Sequence, residues 1–297
     1  MIDPLAQIVT LLEPRAPRSK ISSGAGRWKV RRAEAARPFY CAVLEGACRI
    51  APAGGETILL EAGDFILIPS ADDFEMQSLA ETGTEHVVAM PTLLPNGDYR
   101  VGETSGPPEV RMLIGYCEFS SPDAKLLISL LPCYVWVKGR PRFTTLLQLL
   151  LEEVSARRPA HEIVTMRLLD ILFIEALRAQ SETQDARGLL QGLADERVSI
   201  ALRRIHGDLA EHWTVPRLAN EAGVSRSAFF ERFKRILGMS PMEYVLAWRM
   251  AVAKDLLRRR KQTIGDVALR IGYSSASTFS IAFTRHVGIP PSVYARQ

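Results

Sequence analysis

The chain has 297 residues, 47% apolar and 24% charged, which is an ordinary globular composition with room for two cored domains. Its four cysteines (Cys41, Cys48, Cys117, Cys133) form no C-x-x-C pair and exclude a disulfide scaffold. The longest apolar stretch, 126–137, is broken by Pro132 and is too short to span a bilayer. The net charge of +4 hides a division, because Lys and Arg outnumber Asp and Glu by 16 to 7 from Ser199 on, whereas the preceding residues carry 21 basic against 26 acidic side chains. A basic C-terminal third suits a polyanionic partner. No basic leader precedes an apolar core at the N-terminus, so the expected location is cytoplasmic, without a membrane partner.

Residues 26–118 read as short strands: Phe39–Leu44, Cys48–Ala51, Thr57–Leu60, Phe65–Ile68 and His86–Ala89. Turn residues separate them at Glu45-Gly46, Gly54-Gly55, Glu61–Asp64 and Ser70–Asp73, a rhythm that predicts a sandwich or barrel. Ser23–Gly26 lacks the Lys-Ser/Thr of a phosphate loop and predicts a flexible turn. Near residue 120 the period becomes helical, over Asp123–Leu131, Phe143–Ala156 and Glu162–Ala179. The last two carry enough apolar positions to cover a barrel and leave a stripe for a partner helix, so residues 1–180 are expected to form a homodimer. A polar stretch, Ser181–Arg187, begins a linker over 181–197, and 198–297 reads as helices joined by tight turns.

The C-terminal part contains a duplication. Thr214, Leu218, Ala219 and Gly223 recur 49 residues later as Thr263, Val267, Ala268 and Gly272. Phe229, Phe233, Gly238, Pro241 and Tyr244 recur 50 residues later as Phe279, Phe283, Gly288, Pro291 and Tyr294. Thr214 and Thr263 suit helix N-caps, with Asp266 completing a capping-box-like arrangement. The alanines allow close helix crossing, and Gly223 and Gly272 suit a left-handed turn. Ser225, and Ser274 or Ser275, can cap the following helix. Each Phe pair, four residues apart, anchors one helix face and leaves the opposite face for a major groove. That face carries Arg226, Ser227, Phe230, Glu231, Lys234 and Arg235 in the first unit. In the second it carries Ser275, Ala276, Ser277, Ser280, Ile281, Thr284 and Arg285.

With Leu218-Ala219, Gly223-Val224-Ser225 and Ile271-Gly272-Tyr273 at these spacings, residues 200–297 resemble the DNA-binding domain of AraC/XylS-type regulators. The resemblance implies double-stranded DNA as partner, read by two recognition helices on a long linking helix, here Pro241 to about Arg260. It also implies contact with RNA polymerase and tilts the outcome towards activation. Arg258, Arg259 and Arg260 close the linking helix, where phosphate contact is favourable. Ile281 departs from the family, which commonly has a basic residue there.

Gly63-Asp64 with Pro69, and the Glu45-Gly46 turn, resemble parts of the two cupin motifs. Residues 1–180 therefore resemble the cupin-type sensor domain of some AraC-type regulators, which implies a small effector, dimerisation, or both. The expected fold class is α+β: a cupin-like β-barrel with helices, then an all-α tandem helix-turn-helix domain. A metal-binding cupin would carry ligands at Phe39 and Phe74, and the region offers only His86, so neither metal nor cofactor is expected. Trp28, Tyr40, Phe74 and Trp136 are the expected lining of an effector pocket. Two further readings stay open: cysteine oxidation as the signal, and a cupin enzyme with a DNA-binding appendage, although no catalytic residue set stands out.

Overall fold

Helix α1 (Pro4–Leu12) starts the chain and buries Leu5, Ile8, Val9 and Leu12 at three- and four-residue spacing, one helical face. The computed structural model describes residues 3–296 apart from 13, 33–36, 53–54, 72, 81–89, 120, 122, 157 and 182–187, with the backbone alone at 14–18, 117 and 181. The strand expected at His86–Ala89 lies outside the described residues.

Strands follow as β1 (Pro14–Ala25), β2 (Lys29–Arg32), β3 (Arg37–Pro52), β4 (Ile58–Glu61), β5 (Phe65–Ala71) and β6 (Phe74–Gln77). After them come β7 (Thr92–Leu93), β8 (Tyr99–Gly102), β9 (Val110–Phe119), α2 (Ala124–Ser129), β10 (Val135–Val137), α3 (Pro141–Ala156) and α4 (His161–Ser181). The sheet runs β10-β5-β3-β9-β1-β8-β7, and among the described residues only β1 and β8 pair in parallel. Strand β3 makes the sheet curl: its first half pairs with β5 and β9, its second with β4 and β6. A curled half-barrel results.

The sequence placed a turn at Glu45-Gly46, but β3 runs straight through it. The register against β9 slips between Val43 and Glu45, and Gly46 takes φ +73°, so the pair is a bulge rather than a strand end. A Cβ at Gly46 would collide with the Glu109 carbonyl, so the turn-like glycine is there for close backbone approach. Ser23–Ala25 is likewise not a flexible turn. It is the end of β1, clamped between β8 and β9, with Gly26 alone turning at φ +65°.

Trp28, Phe39, Ile50, Leu60, Ile66, Phe74 and Met112 fill the concave side of the half-barrel. Helices α3 and α4 pack on each other, and Phe143 of α3 meets Phe65 of β5 with ring centroids 4.9 Å apart.

The remaining helices are α5 (Gly188–Ala194), α6 (Val198–Gly207), α7 (Val215–Glu221), α8 (Arg226–Leu237), α9 (Pro241–Arg258), α10 (Ile264–Arg270), α11 (Ala276–Val287) and α12 (Pro291–Tyr294). Contacts group Pro14–Ser120 with Leu131–Thr183 as one compact unit, and Met1–Glu13 with Ser121–Leu130 and Gln184–Gln297 as the other. Two pieces of the region read as sensor are thus built into the helical unit. The Gln7 side chain bonds the buried His206 ring at 2.8 Å, and Asp123 pairs with Lys254 of α9 at 2.5 Å, both groups nearly buried.

Candidate nucleic-acid interface

Both helix pairs are built as the duplication predicts. Thr214 and Thr263 cap α7 and α10 by accepting from the backbone N–H three residues on, and Asp266 closes a capping box with Thr263. The hydrogen bonds from Thr263 hold the Asp266 carboxyl below its usual range. Ser225 and Ser275 cap α8 and α11 in the same manner. Between the helices of each pair, Gly223 and Gly272 take φ +67° and +85°, the left-handed values for which glycine is suited. Ser274 is therefore not the cap, although the sequence allowed it.

Under the first pair, Phe229 and Phe233 are fully buried with centroids 5.6 Å apart, and Phe233 meets the Tyr244 ring edge-on at 5.8 Å. Beneath the second, Phe279 and Phe283 lie 5.4 Å apart and Phe283 meets Tyr294 at 5.5 Å. Burying these rings turns the opposite faces of α8 and α11 to solvent.

On the face of α8 turned away from the rings, Arg226, Ser227, Glu231, Lys234 and Arg235 are exposed, with Phe230 half-buried. On the corresponding face of the second unit Ala276, Ser277, Ile281 and Arg285 are exposed, with Ser280, Thr284 and the N-cap Ser275 half-buried. Ile281 is 72% exposed, so an aliphatic side chain stands where the first unit offers Glu231. Ser280 and Thr284 each donate to the carbonyl four residues back, at 2.7 Å, and these hydroxyls keep only acceptor capacity.

Helix α9 stops at Arg258, with Arg259 as its C-cap and Arg260 at φ +50°. All three arginines are exposed. Arg259 pairs with Asp255 at 2.9 Å, and Arg260 donates to the Arg296 carbonyl at 2.8 Å. Sequence reasoning took both as phosphate ligands, and Arg260 also fastens the C-terminal residues.

Sequence reasoning missed His206, whose partners lie far away in the chain. Burial pushes its pKa down to about 3, so the ring is neutral. Its Nδ1–H can donate to Gln7 Oε1 while Nε2 accepts from the Tyr244 hydroxyl at 2.7 Å. The ring also packs on Trp248, centroids 4.3 Å apart.

The half-barrel encloses a second candidate site. A small cavity of about 40 Å³ is lined by Trp28, Phe39, Phe74, Met76, Met112 and Tyr116, with Lys20, Ser22 and Arg32 among the other wall residues. Phe39 and Phe74, at the positions where metal ligands would stand, touch with centroids 4.4 Å apart. Of the four residues expected to line an effector pocket, Trp28 and Phe74 stand in the wall of this cavity. Tyr40 is instead buried with its hydroxyl on Ser19 and its ring against Phe65, and the Trp136 N–H points to Asp64 at 3.4 Å. Alternation explains Tyr40, which follows Phe39 in β3 and so takes the other face, whereas Trp136 packs against the same core as Trp28 and Phe74 without reaching the cavity. Among the described residues no three metal-binding side chains cluster. Burial raises the Cys41 thiol well above its ordinary range and pushes Cys48 up to about 12, so neither forms an appreciable thiolate at neutral pH. Cys133 is exposed.

Comparison with known proteins agrees with both halves. The Cupin family matches residues 3–182, and the Helix-turn-helix domain family matches residues 218–297. A putative AraC-like transcription regulator of Streptomyces lividans is 32% identical over 99% of this chain and 98% of its own length. The HTH-type transcriptional regulator AlkR of Acinetobacter baylyi is 33% identical over 49% of this chain and 48% of its own. Among solved structures, the C-terminal domain of AraT, a response regulator from Geobacillus stearothermophilus, is 28% identical over 34% of this chain and 85% of that one, with a TM-score of 0.33.

Proposed function

The chain belongs to the AraC-type family of DNA-binding transcription regulators, and on that premise we propose that it is a cytoplasmic, effector-controlled, homodimeric activator that reads two adjacent major-groove segments unequally. The observation that carries this is the pair of like-built helix-turn-helix units whose solvent faces differ in chemistry. Arg226, Ser227, Glu231 and Lys234 offer charged and hydrogen-bonding groups to base edges. Ala276, Ser277 and Ile281 suit thymine methyl groups and cannot form bidentate bonds to guanine. Phe230, Arg235, Ser275, Ser280, Thr284 and Arg285 flank these contacts, and Arg258 and Arg259 face phosphate.

Effector control is supported by the apolar cavity and by chain continuity. Strand β9, which supplies Met112 and Tyr116 to the cavity wall, runs on into the segment whose Asp123 pairs with Lys254 of α9. The chemistry of this lining suits an apolar molecule, and the walls would have to part to admit one, since the cavity holds only about 40 Å³. Dimerisation is supported by Leu149 on α3 and Ile163, Val164 and Ile171 on α4, all exposed apolar side chains. The enzyme reading loses support because Phe39 and Phe74 cannot ligate a metal. The oxidation reading loses support at Cys41 and Cys48, which are buried. RNA polymerase is the partner an activator of this family requires.

DNase footprinting of the full-length protein on the promoter-proximal regions flanking its own gene tests the DNA reading. The expected result is protection on one DNA face of two segments centred about 10 bp apart, one helical turn. Protection of a single segment, or none at any salt concentration, would contradict it.

A further inference from the structure

We infer that Arg249, which faces no groove, sets the spacing at which the two helix-turn-helix units read DNA. The inference rests on the reading that both units engage DNA, and its grounds lie at the junction between them.

Arg249 projects from α9 between the units. Its Nε donates to the Leu209 carbonyl at 3.0 Å and its Nη2 to the Glu211 carbonyl at 2.8 Å. These carbonyls belong to the turn between α6 and α7, just ahead of the Thr214 cap of the first unit. That turn is itself rigid. Asp208 accepts from the backbone N–H of Ala210 and Glu211, and the Trp213 indole donates to the Asp208 carbonyl at 2.8 Å.

The second unit leans on the same place. A Cβ built on Gly272 would lie 2.6 Å from Arg249 Nη2, 2.7 Å from the Ala210 carbonyl oxygen and 2.8 Å from that of Leu209. Gly272 is therefore in direct contact with the first unit's turn and with the guanidinium that holds it. One planar fork thus ties the linking helix to the first unit while its edge seats the turn glycine of the second. A lysine, with one ammonium on a flexible stem, cannot hold both carbonyls and keep a flat surface for Gly272. The Phe229/Phe233 packing lies apart from this junction, and the second unit meets it through Tyr273, next to Gly272, whose ring packs on Phe279 with centroids 5.7 Å apart. The Phe279/Phe283/Tyr294 stack does not use the fork, so losing the fork should free the units from each other without melting either one.

The loss matters because two linked readers gain affinity only when their separation matches the site. The test is selection from a DNA library carrying two randomised segments separated by spacers of varied length, using full-length wild type, Arg249→Ala, Arg249→Lys and Gly272→Ala. Wild type should enrich one spacing. Arg249→Ala should recover the same base preferences in each segment, spread over several spacings, with affinity for the wild-type optimum reduced at least ~10-fold. Gly272→Ala, which also strains the second unit's own turn at φ +85°, should spread the spacings likewise and blur the second segment. Arg249→Lys should lie between, and it carries the test if the alanine variants lose their cooperative urea transition. A variant set that keeps the single wild-type spacing with under ~2-fold loss of affinity would overturn the inference, since mismatched linkage costs more. Enrichment of one segment only by wild type would instead remove the two-unit reading, and this inference with it.

Discussion

The two helix-turn-helix units have the same interior and different exteriors. Their caps, turn glycines and Phe-Phe-Tyr stacks repeat to within a few tenths of an ångström in ring spacing: 5.6 and 5.8 Å in the first, 5.4 and 5.5 Å in the second. Their groove faces agree at Ser227/Ser277 and Arg235/Arg285 and differ at Arg226/Ala276, Phe230/Ser280, Glu231/Ile281 and Lys234/Thr284. Buried contacts admit few solutions because each ring must fill a fixed space, while an exposed position constrains neither packing nor backbone. The interior therefore identifies the motif, and the exterior decides which base pairs it reads.

The largest effect tests the shared interior. Phe229→Ala and Phe279→Ala each delete a fully buried ring and should each cost about 3–5 kcal/mol, measured by urea unfolding. The two costs should agree within about 1 kcal/mol, given the scatter of such substitutions with local collapse. A large and a negligible loss would break the comparison.

Next comes the exterior. Glu231→Ala and Arg226→Ala should change affinity for the preferred site by about 1–3 kcal/mol and alter base preference, whereas Ile281→Ala should change it less. Competition binding against single-base variants of the site measures both. Equal losses at Glu231 and Ile281 would mean the faces are functionally alike.

Acid should separate the units as well. His206 lies under the first unit, hydrogen-bonded to Tyr244, whereas Tyr294 of the second packs on Phe283. Its folded pKa, about 3, is below the ordinary value of 6.5, so the unfolded chain takes up the proton first. The neutral ring's contribution is complete above about pH 6.5 and is lost as pH falls towards 3, about 2 kcal/mol between pH 7 and pH 5. Hydrogen exchange should show α7 and α8 losing protection before α10 and α11. In His206→Gln the order should disappear.

The smallest effect is on phosphate. Arg259→Ala should weaken binding to every sequence alike and lower the slope of log K against log salt by about 1. A change confined to the preferred site would assign Arg259 to base reading.

Much of this was legible in the sequence because it is local. Caps, glycines and Phe pairs announce themselves within a few residues, and so does the switch from strand to helix period near residue 120. Pairings across the chain carry no local signal. Gln7 finds His206 at a separation of 199 residues, and Lys254 finds Asp123 at 131. Neither α1 nor the 121–130 segment could be assigned to the helical unit by pattern. Glu45-Gly46 misled for a related reason: a bulge and a turn use the same residue type, and only the partner strand distinguishes them. Tyr40 misled because aromatic character says nothing about which face of a strand is concave.

The central claim, that one scaffold is used twice with unequal reading, is tested most directly by selecting sites for the full-length protein from a fully randomised DNA pool and comparing the information in the two half-sites. Assignment of each half-site to a unit comes from repeating the selection with Glu231→Ala. The account predicts a sharply defined half-site that changes in the variant, beside a looser, T-rich half-site that does not. Equal information in the two halves, or a preference untouched by Glu231→Ala, would contradict it.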